Sequence, residues 1–567
     1  MLFRSDFLAL GMLSLVEECV ERIAVREGTP PDLSRIDFED PAVYDRICRG
    51  DTVGLFQIES RAQIQMIRRS RPRNLEDLAV EVAIVRPGPI VGGAVNPYVR
   101  RREEQRRARA AGRAYEPPLE HPLLKEALTE TLGVILYQDQ VLQVCQALAG
   151  FTAGQAEALR RAMSRRRSRE LMAGFWEEFK DGAAARGVPE QTAQRVFTQV
   201  IAFSEFGFPK SHAAAFGLLA YQSAWLRHYH PAEYYCALFN NQPMGFYSLD
   251  ALGRDAQRNG VEIRLPDVNA SDVWCTIEKG ADSRERGAVH SDAVRVGLGF
   301  IRDWSEETAT AVVTEREQRG RYVSIGDFVR RAPPKLKRTA IEHLVWVGGS
   351  DGFGLTRREL LWQVGLWLPP ESEHGVDARG RRQLELGLNH PHEGLRFGGL
   401  EPAERLLAEY AVLGFAASGH PLSLLRGALP PRVVQSDALP RLEHGAWVEV
   451  AGLVVARQRP ETAKGFIFVL LEDEAGMVNV IVRPDVYERH RTAVRGEPLL
   501  WVRGKLAKDD GTVNVLAEEE KGLKVGTRNA ERGTDGESDG SAFPLPHSAF
   551  DFLKSMRRLA PESKDWG

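Results

Sequence analysis

The chain predicts a multidomain α+β fold, and three features of its 567 residues carry that expectation. Over residues 23–245 apolar side chains recur at helical spacing between loops marked by Pro and Gly. Residues 246–367 change to shorter mixed segments that include VRVGLGF. Residues 446–525 alternate apolar and polar positions in short runs broken by Gly and Asp-Asp-Gly turns, the period-two signature of strands. Those runs are expected to close into a five-stranded C-terminal β-barrel of the OB type.

Taken in order, residues 1–22 form one amphipathic segment and residues 23–245 a mainly helical region. Within it, the stretch 203–235 carries the strongest chemical signal. An aromatic-Gly-aromatic-Pro loop delivers Lys210, Ser211 and His212 to the opening of a helix. Ser211 is the expected N-cap and Pro209 stiffens the entry, while the first-turn N–H groups add their partial positive charge to that of Lys210. A phosphate suits such a place. The helix then sets Ala215, Leu218, Leu219, Gln222, Trp225, Leu226 and Tyr229 on a buried face until Pro231. An ordinary capped core helix would look the same, and both readings stay open here.

Upstream, LRRAMSRRR with Arg169 puts six arginines into eleven residues. Arg160, Arg161 and Arg165 aim a guanidinium cluster from one side of a helix, and arginine suits bidentate phosphate contacts. Arg165 and Arg166 are candidates for DNA contact; a plain solvated face is the alternative. A second basic run, Arg100, Arg101, Arg102, Arg106, Arg107, Arg109 and Arg113, is offset only by Glu103 and Glu104. It reads as a linker or as a strip tracking a nucleic-acid backbone.

Gly297 and Gly299 allow close backbone approach, either in a DNA-contacting hairpin or in a tight turn between strands. Residues 368–445 are expected to be a linker, because their first part is rich in Pro, Gly, His and charge. On the barrel, Trp447, Phe466, Phe468, Arg457, Lys464 and Lys505 are candidates for single-strand binding, although strand aromatics also build cores. Residues 526–567 form a tail, with 526–546 expected to be disordered from their low apolar content.

Charge alone decides little, since 75 Lys and Arg face 78 Asp and Glu, so local clustering must carry any nucleic-acid argument. Five cysteines without a CxxC spacing suggest neither a disulfide framework nor a zinc site. No long apolar run and no signal-peptide order occur, so a cytoplasmic protein without membrane contact is expected.

The motifs DFLALGML, GLFQIESR, VRPGPI, GVILYQDQV, LRRAM and FGFPKSHAAAF, in this order, make the chain similar to the C-terminal half of the catalytic alpha subunit of bacterial DNA polymerase III, a C-family polymerase. NNQPMGFYS, LPDVNAS, Pro209 and the ending ESKDWG resemble the error-prone, damage-tolerant paralogue more than the replicative one. The resemblance implies a fingers region over 23–245 and a helix-hairpin-helix-containing DNA-binding domain over 246–367. It implies translesion synthesis by two-metal nucleotidyl transfer with Mg2+. Asp6 then matches the last of three catalytic, metal-binding aspartates, and 1–22 is a remnant of the palm. Arg160, Arg161, Lys210, Ser211 and His212 would embrace the triphosphate of the incoming dNTP. Arg86, Gln138 and Gln140 would line the same pocket, and Tyr221 would pack near the base pair.

Where the family has an Asp-x-Asp pair, this sequence has none. The palm, thumb and phosphoesterase-like domain are therefore expected to be missing, and the chain to be inactive alone. A non-catalytic DNA-binding and recruitment module, or a replicative alpha-subunit fragment, is the alternative. Primed DNA and dNTPs are the implied partners, together with a sliding clamp and damage-response accessory proteins. Gln383, Leu384, Glu385 and Leu386 are the nearest match to a clamp-binding peptide, with Gly387 where a large apolar residue belongs.

Overall fold

The computed structural model describes residues 3–86, 89, 93–163, 169–203, 208–245, 247–280, 292–368, 395–460, 463, 465–509, 512–525, 542–545, 555–556, 558–559 and 564–566. The chain divides into two compact units. One is Pro30–Tyr229; the other combines Met1–Thr29 with His230–Gly567.

In the Pro30–Tyr229 unit, helices pack around two apolar clusters. Val141, Val144, Leu148, Phe179 and Phe197 fill the first, drawn from the helices Gln138–Ala149, Arg169–Ala185 and Glu190–Phe203. Met66, Ala79, Ala83, Tyr98, Leu136 and Ala213 fill the second. There the helices Leu75–Ile84 and Lys210–Tyr229 run close together because the second presents small residues to the first. A Cβ at Gly217 would stand 3.0 Å from the Ala79 nitrogen, so glycine is what lets the two backbones meet. The buried face accordingly runs through Ala213, Gly217, Tyr221 and Ala224, and the expected Ala215 is exposed. Sequence spacing weighed large apolar residues, whereas close helix packing is made by small ones.

In the other unit, the Phe3–Glu27 helix passes through the expected boundary at residue 22 and packs on the Pro231–Asn240 helix. A small mixed sheet follows, in the order β1 (Glu262–Arg264), β3 (Asp292–Arg295), β2 (Thr276–Lys279). The helices Glu306–Arg319, Ile325–Arg331, Arg338–Trp346 and Arg357–Trp367 come next. The expected linker is folded from Leu400 onward. The Pro402–Leu413 helix buries Leu406 and Tyr410 against the barrel residues Ala451, Leu453 and Trp501, an amphipathic pattern hidden by the Pro- and Gly-rich sequence before it.

The barrel consists of β4 (Trp447–Gln458), β5 (Ile467–Glu472), β6 (Met477–Val482), β7 (Leu499–Asp509) and β8 (Thr512–Val525). Pairing runs β4–β5–β6–β8–β7 and returns to β4, which closes the ring and removes its edges. Inside lie Val450, Val469, Leu471, Val480, Val502 and Val515, and the Pro484–Gly496 helix bridges β6 and β7. Arg457 is no groove residue, because its Nε donates to the Val494 carbonyl at 2.6 Å at the end of that helix. Residues 526–541 of the expected disordered tail lie outside the described residues, as does Lys464. Residues 542–545 do not fit that expectation: β9 (Ala542–Leu545) pairs in parallel with β8, taking backbone partners that composition cannot reveal. β10 (Lys564–Trp566) pairs in parallel with β4.

Candidate functional site

The FPKSH segment is held by a neighbour rather than by its own cap. Phe208 bridges Tyr137 in parallel, and the Gln138 N–H donates to the Phe208 carbonyl at 3.0 Å. Two segments distant in sequence, YQDQ and FPKSH, thus lie side by side. The Lys210–Tyr229 helix opens with the Ala213 N–H donating to the Pro209 carbonyl. Proline in that capping position offers no side-chain acceptor, so the helix takes one from elsewhere. Asp139 Oδ2 accepts the Lys210 N–H at 2.7 Å. Ser211 is therefore not the cap; it sits exposed inside the first turn.

Lys210, Arg160 and Arg161 each meet a carboxylate that residue type alone does not single out. Lys210 Nζ pairs with Glu130 Oε2 at 2.7 Å, both ends about half exposed. Arg160 donates to Glu157 through Nε and Nη2, each at 2.8 Å, and Arg161 Nε donates to the same carboxylate at 2.9 Å. These bonds, those of Arg160 first, hold the Glu157 carboxyl down at about 2. The Arg160 cation is favoured by Glu157 and also by the charge of Asp139. One carboxylate, Asp139, therefore acts on both Arg160 and the start of the Lys210 helix.

Aromatic side chains form the adjoining wall. The His212 ring packs between Phe208 and Phe216, at centroid distances of 4.4 and 4.0 Å. Arg86 lies over Phe208 at 4.6 Å and donates to Gln57 Oε1 at 3.1 Å; burial lowers its pKa. Gln57 itself has a φ of 59°, a left-handed conformation that costs a non-glycine residue about 1 kcal/mol or more and that concentrates at functional sites. Within GLFQIESR, nothing in the residue type announced it.

Two expected site residues are turned to other work. Gln140 is buried: its Oε1 accepts from the Leu136 and Tyr137 N–H groups, and its Nε2 donates to the Ala127 carbonyl and Thr131 Oγ1. With donors and acceptor engaged inside the protein, it shapes the loop and does not line a pocket. Tyr221 is fully buried, donates to the Asp37 carbonyl, and packs on Tyr44 at 5.1 Å, so it does not face a base pair.

Three further assignments lie apart. The Asp6 side chain, Arg165 and Arg166, and the peptide Gln383 to Leu386, fall outside the described residues. Among the described residues no three His, Cys, Asp or Glu side chains gather as a metal site. Gly297 and Gly299 do not form a hairpin with open donors. Gly297 precedes and Gly299 lies within the short Leu298–Phe300 turn, the Gly299 N–H donates to the Val273 carbonyl at 2.9 Å, and a Cβ at Gly297 would collide with that same oxygen. Their role here is close packing within the protein.

Arg86 and His212 pack on Phe208, the Lys210 N–H is bonded to Asp139, and the side chains of Lys210, Arg160 and Arg161 are held in partly exposed ion pairs with Glu130 and Glu157. Such pairs contribute roughly 1 kcal/mol or less each, so a multiply charged anion can exchange with them.

Comparison with known proteins gives a consistent placement. Residues 12–187 match the bacterial DNA polymerase III alpha subunit finger domain, 260–360 a helix-hairpin-helix motif, and 448–522 an OB-fold nucleic acid binding domain. An "Error-prone DNA polymerase" of Anaeromyxobacter sp. (strain K) is 39% identical over 544 residues, covering 94% of this chain and 46% of that protein. Proteins of the same name from Mycobacterium tuberculosis and Azoarcus sp. (strain BH72) are 38% and 41% identical, covering 94% and 91% of this chain and 46% and 47% of their own lengths. The chain spans about half the length of the curated relatives it matches. Among the described residues no helix is long and apolar enough to cross a membrane.

Proposed function

Because this chain belongs to the family of bacterial DNA polymerase III alpha subunits, we propose that it serves error-prone, damage-tolerant DNA synthesis and that its Pro30–Tyr229 unit grips the triphosphate of an incoming dNTP. The supporting observation is the pairing of FPKSH with YQDQ, which ties the Lys210 N–H to Asp139, whose charge also favours the Arg160 cation, and which puts Phe208 under Arg86 and His212.

In this reading the phosphate oxygens take over Lys210 from Glu130, and Arg160 and Arg161 from Glu157. Arg86, already held by Gln57 and Phe208, adds a fixed cation at low cost in ordering. As pyrophosphate leaves, its growing charge stays beside these cations, which is how a site can favour phosphoryl transfer without covalent chemistry of its own. Divalent ions, Mg2+ in our reading, would be held by Asp6 together with further carboxylates that this sequence, which has no Asp-x-Asp pair, does not itself supply. The helix-hairpin-helix region and the barrel would hold primed DNA, and a sliding clamp and damage-response proteins would recruit the enzyme in the cytoplasm.

The test uses the 567-residue chain with fluorescent primed DNA. Binding should weaken steeply as salt rises, because phosphate contacts release counterions. No dNTP should be incorporated with Mg2+, because the sequence contains no Asp-x-Asp. Salt-independent binding, or primer extension by the chain alone, would contradict the proposal.

A further inference from the structure

The barrel carries a solvent-facing feature that the nucleotide site does not use. Trp447, the first residue of β4, leaves 54% of its surface exposed. Two cations lie over its ring: Arg503 Cζ is 5.2 Å and Lys505 Nζ 5.3 Å from the centroid. Register explains the grouping. Lys505 on β7 is directly opposite Trp447, and Arg503 lies two residues further along, so all three share one face of the sheet. Neither cation closes an ion pair among the described residues. The neighbouring acid, Glu449, is neutralised by Arg432 and accepts from the Trp501 indole N–H.

An exposed indole beside two cations without carboxylate partners is unusual on a protein surface, where aromatic rings are normally buried and charges normally mixed. The side of the barrel that OB folds commonly use, strands β5 and β6, is by contrast partly occupied. Glu472 of β5 is fully buried and bound by Arg258 of the Leu249–Arg258 helix at 2.8 Å. Leu470 is buried as well. Where the customary face is covered by the protein's own helix, the uncovered aromatic and the uncovered charge lie on the β4–β7 side.

We infer that Trp447, Arg503 and Lys505 form a stacking site for one base of single-stranded DNA, with the two cations on the phosphates that flank it. This rests on the reading that the chain handles DNA, and adds to it a location and a mode. The indole supplies a face that any base can stack on, so contact is independent of sequence. Arg503 and Lys505, two residues apart on one strand face, are spaced along the strand direction as successive backbone charges are.

The experiment compares the whole chain with Trp447→Ala, Trp447→Phe and Phe468→Ala, measuring anisotropy of a labelled oligo-dT and of an abasic oligonucleotide of equal length. Trp447→Ala should weaken oligo-dT binding roughly tenfold while barely changing abasic binding, and Trp447→Phe should recover most of the loss. Arg503→Ala should weaken both oligonucleotides and reduce the salt dependence by about one counterion. Circular dichroism should be unchanged, as expected for an exposed position. If Phe468→Ala weakens binding and Trp447→Ala does not, DNA runs on the customary face and the stacking site is refuted, with the DNA-handling reading intact. Equal loss on both oligonucleotides would refute stacking in favour of a backbone effect. No binding by the unaltered chain, even at low salt, would remove both.

Discussion

At the scale of single residues, the carboxylates beside the proposed grip matter as much as its cations. Asp139 caps the Lys210–Tyr229 helix and acts on Arg160 at the same time, so it occupies ground that a phosphate would share. Asp139→Asn keeps an acceptor for the Lys210 N–H while removing the negative charge. The helix should lose only a few tenths to about 1 kcal/mol, because asparagine is itself a good cap. Affinity for inorganic tripolyphosphate should rise roughly fivefold, about 1 kcal/mol, since one opposing charge near the surface is gone. Calorimetric titration of both proteins measures it, and weaker binding by the variant would mean that Asp139 organises the site rather than competes for it. The cations of this site were legible in the sequence because Lys210, Arg160 and Arg161 sit in a telling order of residue types. Their partners Glu130, Asp139 and Glu157 were not, since an acid among many acids gives no signal until the fold brings it close.

At the scale of elements, the start of the grip depends on how closely two helices approach. Gly217 allows the Lys210–Tyr229 helix to lie against Leu75–Ile84, and a side chain there would meet the Ala79 backbone nitrogen at 3.0 Å and its Cα at 3.3 Å. Gly217→Val should cost about 1–3 kcal/mol by overpacking and shift the helix that carries Lys210. Thermal melting and nucleotide binding of that variant should fall together; an unchanged melting temperature would show that the helices slide apart without strain. Helical periodicity announced that this helix has a buried face and placed Leu226 on it correctly, but it missed the small residues that make the closest contact and included Ala215 and Tyr229, which are exposed. Ala213, Gly217 and Ala224 carry little hydrophobic signal, yet small side chains are what close packing requires. The barrel was readable for the opposite reason, because β-branched residues alternating with polar ones leave few other solutions. Ser211 is not the cap because the helix already begins at Lys210, straight after Pro209, and because Asp139 from another helix accepts the Lys210 N–H instead.

For the molecule as a whole, two units share the work proposed here: Pro30–Tyr229 takes the nucleotide, and the unit with the barrel takes DNA. The family was readable from ordered motifs, and relatives matching 91–94% of the chain agree with it. The division into units was not, because the Phe3–Glu27 helix joins the part of the chain that begins at His230, a long-range association no local pattern encodes. The central claim is that Lys210 and Arg160 act on one substrate phosphate chain. Equilibrium binding of dATP and of deoxyadenosine to the unaltered chain, to Lys210→Ala, to Arg160→Ala and to the double variant tests it most directly. The account predicts that each single change weakens dATP binding about tenfold, as loss of a charge-assisted contact does, and that the double change falls short of the product because both contacts serve one ligand. Deoxyadenosine binding should be the same for all four proteins. Unchanged dATP affinity in the double variant would contradict it.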